Sequence, residues 1–225
     1  MQTIQTTIKN GLLIFGLLFA TNGMATANAD PTIQAPDEML KKATVKMLRS
    51  INSHRADIKS SPDKLKSLVE QIILPHLDFI AASKMVMGKY WLRSEKQQKI
   101  NFIRQFRLLL LRFYSSALAE YLNDKDKDLP EDLIHYFPIN LKDGEKSITV
   151  RAELKSDKGD TIPIHYRVHL TKKGWKIYDV SVEGISMITT YKNNFATQFK
   201  TQGIDALIVS LEEKNKNLLA NNNKK

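Results

Sequence analysis

Residues 161–182 read TIPIHYRVHLTKKGWKIYDVSV and contain two runs in which apolar and polar side chains alternate. A period of two is typical of a β-strand that buries one face. The runs are separated by Lys172-Lys173-Gly174, a turn-forming sequence, and such a short connection joins antiparallel neighbours. This stretch therefore predicts an antiparallel hairpin, with Pro163 at a strand start or on an edge strand.

The same alternation extends upstream of the hairpin. Residues 148–154 alternate apolar and polar side chains, and 133–141 could supply a fourth strand. Outside this region, apolar residues recur at helical spacing. They predict helices over 37–53, 62–74, 78–88, 95–122, 186–200 and 204–219. Helices, then strands, then helices predict an α+β fold in one domain, with about four antiparallel strands between N- and C-terminal helices.

The longest predicted helix has two distinctive features. Ser94 and Gln97 fit a capping box at its start. Its middle, 103–114, is apolar over more than one stripe. A helix that is apolar nearly all round must be covered on most sides, so we expect it to lie between other helices and the sheet.

The N-terminus has the pattern of a secretory signal. Lys9 precedes the apolar run GLLIFGLLFA at 11–20, and small residues then lead to Ala27-Asn28-Ala29. The run would span about 15 Å as a helix, half of the roughly 30 Å that a bilayer core requires. We therefore predict a cleaved signal peptide over 1–29, a single domain over 30–220 and a disordered tail over 221–225. Export predicts a periplasmic protein.

Composition narrows the possible chemistry. The chain has no cysteine, which excludes disulfides, thiolate catalysis and cysteine-ligated metals. Its net charge of +10 favours anionic partners such as lipid surfaces or acidic proteins. Nucleic acid is a third kind of anionic partner, and it is the least favoured because the protein is predicted to be exported. The basic residues are spread along the chain, so plain solubility is the alternative explanation.

Few residues suggest catalysis. No nucleophile elbow, phosphate-binding loop or zinc-protease motif is present. His165 and His169 share a strand face with Arg167, which makes a poor metal site. Asp179 lies within an apolar strand, where a lone carboxylate is costly to bury. We interpret it as paired with a backbone amide or a lysine; the alternative is a general base with a raised pKa.

Several stretches together resemble the MlaC family of periplasmic phospholipid shuttles, also called toluene-tolerance proteins. The resemblance runs in order from about residue 37 to residue 216, and GWKIYDV followed by VEGIS is its most specific part. Lys192 departs from the arginine expected there, although a cationic group remains. The resembling stretches are LPHLDF at 74–79, GKYW at 88–91, FIRQF at 102–106, YRV at 166–168, GWKIYDV at 174–180, VEGIS at 182–186 and GIDALI at 203–208.

The resemblance implies a curved antiparallel sheet wrapped by helices around an apolar cavity that holds phospholipid. It implies transfer between an outer-membrane lipoprotein complex and an inner-membrane ABC transporter with a substrate-binding ring, which maintains outer-membrane lipid asymmetry. It also implies no catalytic residue, no metal and no cofactor apart from the phospholipid ligand. Combined with strand alternation, it predicts a lipid-binding wall that includes Met85, Phe106, Val150, Ile164, Tyr166, Val168, Trp175, Ile177, Ile188, Tyr191 and Phe195.

Two other functions remain open at this point. One is a small periplasmic enzyme that uses Asp179 as a general base. The other is a periplasmic chaperone that binds unfolded apolar segments. For each predicted wall residue, packing in the protein core is the competing role.

Overall fold

A computed structural model describes residues 33–123, 127–155 and 159–222. The predicted signal peptide and residues 223–225 of the predicted tail lie outside these ranges. Within them, six helices precede a sheet of five strands and two helices follow it. The leading helices are α1 (Pro36–Ser53), α2 (Arg55–Ser60), α3 (Pro62–Ile72), α4 (Phe79–Met87), α5 (Lys89–Arg93) and α6 (Lys96–Asn123), with a 3-10 turn at Leu74–His76 between α3 and α4.

The sheet is antiparallel throughout, and its spatial order follows the sequence. This confirms the predicted α+β fold, with a fifth strand added by a two-residue pairing at the end. The strands are β1 (Ile134–Tyr136), β2 (Ser147–Lys155), β3 (Thr161–Thr171), β4 (Gly174–Val182) and β5 (Ile185–Ser186), followed by α7 (Met187–Thr201) and α8 (Gly203–Asn222).

The pairing of β3 with β4 contains one irregularity. Arg167 pairs with Asp179, but the next residue, Val168, pairs with Ile177, so no residue of β3 pairs with Tyr178. An extra residue of this kind is a β-bulge, and it shifts the alternation of all side chains beyond it. Ile177 and Val180 consequently face the same side of the sheet although three positions separate them.

The helices differ from the predictions chiefly in three features, besides shifts of one or two residues in their bounds. The predicted capping box at Ser94 does not form, because Ser94 Oγ donates to the Tyr90 carbonyl. One residue later, Glu95 N donates to Gln98 Oε1 at 2.9 Å, which is one half of such a box. The short helices α2 and α5 were not predicted, since five or six residues show no clear period. Helix α8 runs through Asn222, two residues into the predicted tail.

Three hydrophobic clusters hold these elements together. The first joins α4, α6, α7 and α8 around Phe102 and Phe106, and the second joins α1, α2, α3 and the end of α6 around Leu65. The third packs the start of α1 onto the sheet at Val150 and Val168. Helix α6 belongs to the first two clusters, as its nearly all-round apolar surface predicts. Among the described residues, no helix is both long and apolar enough to cross a bilayer.

Candidate functional site

A cavity of about 690 Å³ lies between the helices and the sheet. Its helical wall is formed by one face of α1, the end of α3 with the following turn, and the second half of α6. The opposite wall is formed by β1, the end of β2, β3 and β4, with Tyr136, Tyr166, Ile177 and Val180. The cavity therefore lies where the three clusters meet, and each cluster supplies part of its lining.

The lining is almost entirely apolar, and two of its tyrosines are satisfied within the wall. Tyr136 Oη lies 2.7 Å from Thr44 Oγ1, and Tyr136 and Tyr166 also share a hydrogen bond. Burial raises the pKa of Tyr166 well above its usual value, and the neighbouring Tyr136 adds to the effect. Both phenols therefore stay neutral at physiological pH, and the wall presents no charge at this point.

Exposure of the lining residues locates the mouth of the cavity. Tyr114 and Tyr121 on α6 are 47% and 40% exposed, and Lys155 at the end of β2 is also exposed. Ile51 and Leu111, at 2% and 3%, lie at the closed side. The cavity thus opens between the second half of α6, the end of β2 and the start of β3.

Lys155 carries the only permanent positive charge among the described lining residues. Its Nζ lies 2.5 Å from Asp132 Oδ2, and both side chains are more than half exposed. The Lys155 ammonium lowers the pKa of the Asp132 carboxyl, mainly by hydrogen bonding. Exposed pairs of this kind contribute little to stability.

Asp179 is buried and fully engaged outside this cavity. Its Oδ2 accepts a 2.7 Å hydrogen bond from Ser186 Oγ, and its Oδ1 accepts one of 3.1 Å from the Ile188 amide. Arg167 Nη1 lies 3.7 Å from Oδ2. The carboxylate thus ties β4 to the start of α7, as the interpretation of a backbone-paired aspartate predicts, with arginine in place of lysine. This arrangement does not favour a general base, since both oxygens already have partners.

Two of the predicted wall residues, Tyr166 and Ile177, line the large cavity. A second cavity of about 40 Å³ lies between α4, α6, α7 and β4. Ile177 also lines this smaller space, together with Phe106 and Ile188. The structure therefore brings four of the predicted residues to one of the two cavities.

The other seven predicted residues lie in packed regions outside both linings. Tyr191 and Phe195 pack against Phe106 with ring centroids 5.1 and 6.2 Å away. Their contact with an acyl chain stays a prediction. The seven are Met85, Tyr191 and Phe195 with the first cluster, Val150, Val168 and Trp175 in the third, and Ile164, which is buried in β3.

Sequence reasoning missed most of the helical wall. Ala43 and Met47 on α1 and Ile73 after α3 line the cavity. Helical periodicity identified them as buried, but it does not distinguish a packed face from a cavity wall. The one sign of a cavity in the sequence of α1 was Thr44, a polar residue beside this apolar face. In the structure its hydroxyl is hydrogen-bonded to the Tyr136 hydroxyl.

One of the two strand histidines serves the framework. His169 Nε2 lies 2.9 Å from Asp78 Oδ2, and Asp78 Oδ1 accepts from the Ala81 amide at the start of α4. This pair links β3 to α4. His165 is half-buried on the same strand.

Comparison with known proteins places this architecture in a family. A family model described as MlaC protein matches residues 41–213. The intermembrane phospholipid transport system binding protein MlaC of Haemophilus influenzae is 25% identical over 185 residues, which are 80% of this chain and 81% of that protein. Toluene tolerance protein ttg2D of Pseudomonas putida is 26% identical over 199 residues, 88% of this chain and 85% of its own.

A solved structure agrees with these sequence matches. The phospholipid-binding protein from Ralstonia solanacearum, in complex with a phospholipid, superposes with a TM-score of 0.70 at 28% identity. The alignment covers 83% of this chain and 99% of that one. Fold, topology and sequence thus agree that this chain belongs to the MlaC family.

Proposed function

We propose that this protein is a periplasmic phospholipid carrier that holds acyl chains in the large cavity. The observation that carries the proposal is the apolar space of about 690 Å³ between the helices and the sheet. The phospholipid in the related Ralstonia solanacearum structure supports it. Tyr166 and Ile177 are the predicted residues that we expect to contact the acyl chains.

The size of the cavity suits this cargo. A methylene occupies about as much space as a water molecule, ~30 Å³, so 690 Å³ holds about 23 such groups. Burying each methylene is worth about 0.8 kcal/mol, so roughly 23 of them contribute on the order of 18 kcal/mol. Lipid in such a site would leave into water very slowly, and delivery would require a partner that opens or outcompetes the cavity.

The cavity and family membership also suggest the route of transport. We propose that the lipid moves between an outer-membrane lipoprotein complex and an inner-membrane ABC transporter, which preserves outer-membrane lipid asymmetry. The predicted signal peptide would deliver the chain to the space between these membranes. The headgroup would remain at the mouth near Lys155, in water. No reaction is required for this role, and we assign no catalytic residue.

Native mass spectrometry of the mature protein, purified without detergent, tests the proposal. We expect a bound mass that matches one phospholipid per chain, and lipid extraction should return diacyl species. Incubating delipidated protein with phospholipid vesicles should restore the same mass. Protein that carries no lipid and takes none from vesicles would refute the carrier, whereas stoichiometric binding of unfolded peptide would favour the chaperone.

A further inference from the structure

One face of helix α6 carries basic side chains that no carboxylate neutralises. Residues 79–107 contain seven basic residues and a single acidic one, Glu95. Lys96, Arg104 and Arg107 recur at helical spacing, which places them on one face of α6, and all three are exposed. None of the three forms a salt bridge within the described part of the chain. Their positive charge is therefore open to solvent.

Helix α4 extends this surface. Its exposed residues Ile80 and Lys84 lie one turn apart, and Lys84 likewise has no salt bridge to a described residue. The two helices meet where Arg107 Cζ lies 5.7 Å from the centroid of the Phe79 ring, next in sequence to Ile80. We call the joint surface the basic face. It consists of Ile80, Lys84, Lys96, Ile100, Arg104 and Arg107.

The loop before β1 shows the contrast. Arg49 Nε lies 2.6 Å from Glu131 Oε1 there, and Arg55 Nε lies 3.6 Å from Asp128 Oδ1. On the basic face, by comparison, like charges lie near one another without acidic partners from the protein. Such charges repel, so an external anionic surface would stabilise them.

Bulky apolar side chains lie among these charges. Ile80 is 61% exposed and Ile100 is 47% exposed. On α5, the short helix between α4 and α6, Leu92 is 82% exposed. An acidic protein surface would neutralise the basic groups, but it would leave these apolar side chains against polar groups. The interface of an anionic bilayer accommodates both, because phosphates meet the basic groups while apolar side chains enter the boundary of the acyl chains.

We propose that the basic face docks this protein onto the surface of an anionic phospholipid bilayer, with Ile80 and Ile100 at the acyl boundary. The inference goes beyond the carrier function, because it concerns the outer surface and not the contents of the cavity. Tyr121, at the mouth of the cavity, lies about 25 Å farther along α6 than Arg104. Docking and lipid loading can therefore be tested separately.

Three variants separate the contributions. The first removes charge from the basic face by Lys84→Gln, Lys96→Gln and Arg104→Gln together. The second keeps the charge and removes the apolar side chains by Ile80→Gln and Ile100→Gln. The matched control removes the same charge from exposed lysines at the turns of the sheet, by Lys146→Gln, Lys172→Gln and Lys173→Gln. Thermal unfolding checks that all three variants fold.

Co-sedimentation with vesicles measures docking. Lipid-loaded protein is used, so that uptake into the cavity does not contribute, and the vesicles contain phosphatidylcholine alone or equal parts of phosphatidylcholine and phosphatidylglycerol. Each basic residue near an anionic surface strengthens binding about fivefold, so loss of three should weaken binding to the mixed vesicles about a hundredfold. The control should bind close to wild type, and the apolar variant should bind more weakly than wild type. Added salt should weaken binding of wild type.

Three results would overturn the inference. Wild type could fail to bind the mixed vesicles, the charge variant and its control could bind equally, or the apolar variant could bind as tightly as wild type. Wild type that binds immobilised polyglutamate but not the mixed vesicles would overturn bilayer docking and assign the basic face to an acidic protein. Native mass spectrometry of the same samples reports the lipid in the cavity, so failure of docking is distinguished from failure of the carrier function.

Discussion

Replacing Ala43 with leucine tests whether acyl chains fill the cavity. Ala43 lies on the buried face of α1 and lines the cavity, so we expect the added atoms to enter the cavity. Leucine adds three carbon groups of ~30 Å³ each, or about 90 Å³ in all. The cavity volume would fall from about 690 Å³ by roughly an eighth.

The loss of space sets the expected magnitude. Three methylenes that no longer fit forfeit about 2.4 kcal/mol of burial, which weakens binding of a full-length lipid about fiftyfold. Lipids with shorter chains should lose less. When Ala43→Leu is offered vesicles of phosphatidylglycerol with mixed chain lengths, we expect the mean summed acyl length of the bound lipid to fall by about three carbons.

Native mass spectrometry measures this distribution directly. Ala196→Leu is the control, because Ala196 is exposed on α7 and the same added volume there lies outside the cavity. Thermal unfolding should show that both variants keep their fold. If Ala43→Leu is folded and binds the same chain-length distribution as wild type, acyl chains do not occupy the space beside α1.

Two further predictions concern the framework around the cavity. Asp179→Asn should lower the free energy of unfolding by about 1–3 kcal/mol, because the carboxylate accepts hydrogen bonds from Ser186 and Ile188. Urea titrations measure this loss, and lipid selection should not change. Unchanged stability would contradict this role of Asp179. Burial, with a smaller effect of Tyr114, raises the pKa of Tyr191 from 10.0 to about 12, so the folded state favours the protonated phenol. The contribution of Tyr191 to the free energy of unfolding is complete below pH 10 and is lost as the pH rises to about 12. In urea titrations across this range, Tyr191→Phe should therefore lose less stability than wild type. If the stability of both proteins falls equally with pH, Tyr191 does not make this contribution.

The elements formed by local pattern were predictable from the sequence. The hairpin of β3 and β4 follows from alternation and a Lys-Lys-Gly turn, and the structure pairs Thr171 with Gly174 there. Helix α6 was expected to be covered on most sides, and it packs in two clusters. Both predictions depend on the spacing of apolar residues along the chain, which sequence periodicity shows directly.

The cavity lining was harder to predict because it depends on register and on space. Strict alternation along β4 groups Trp175 with Ile177 and excludes Val180. The bulge opposite Arg167 breaks that period, so Ile177 and Val180 both line the cavity. Trp175 packs in the third cluster. Periodicity also identifies the buried face of a helix, but it does not show whether that face contacts another element or borders a cavity. The part of the cavity wall formed by α1 was missed for this reason.

The cavity also affects how the protein responds to hydrostatic pressure. A folded state with internal space that protein atoms do not fill has a larger molar volume than one packed solid, so compression favours unfolding. A molecule that fills the space removes most of that difference. In this architecture, sensitivity to pressure therefore reports occupancy: the chain without cargo should unfold at a lower pressure than the same chain with it.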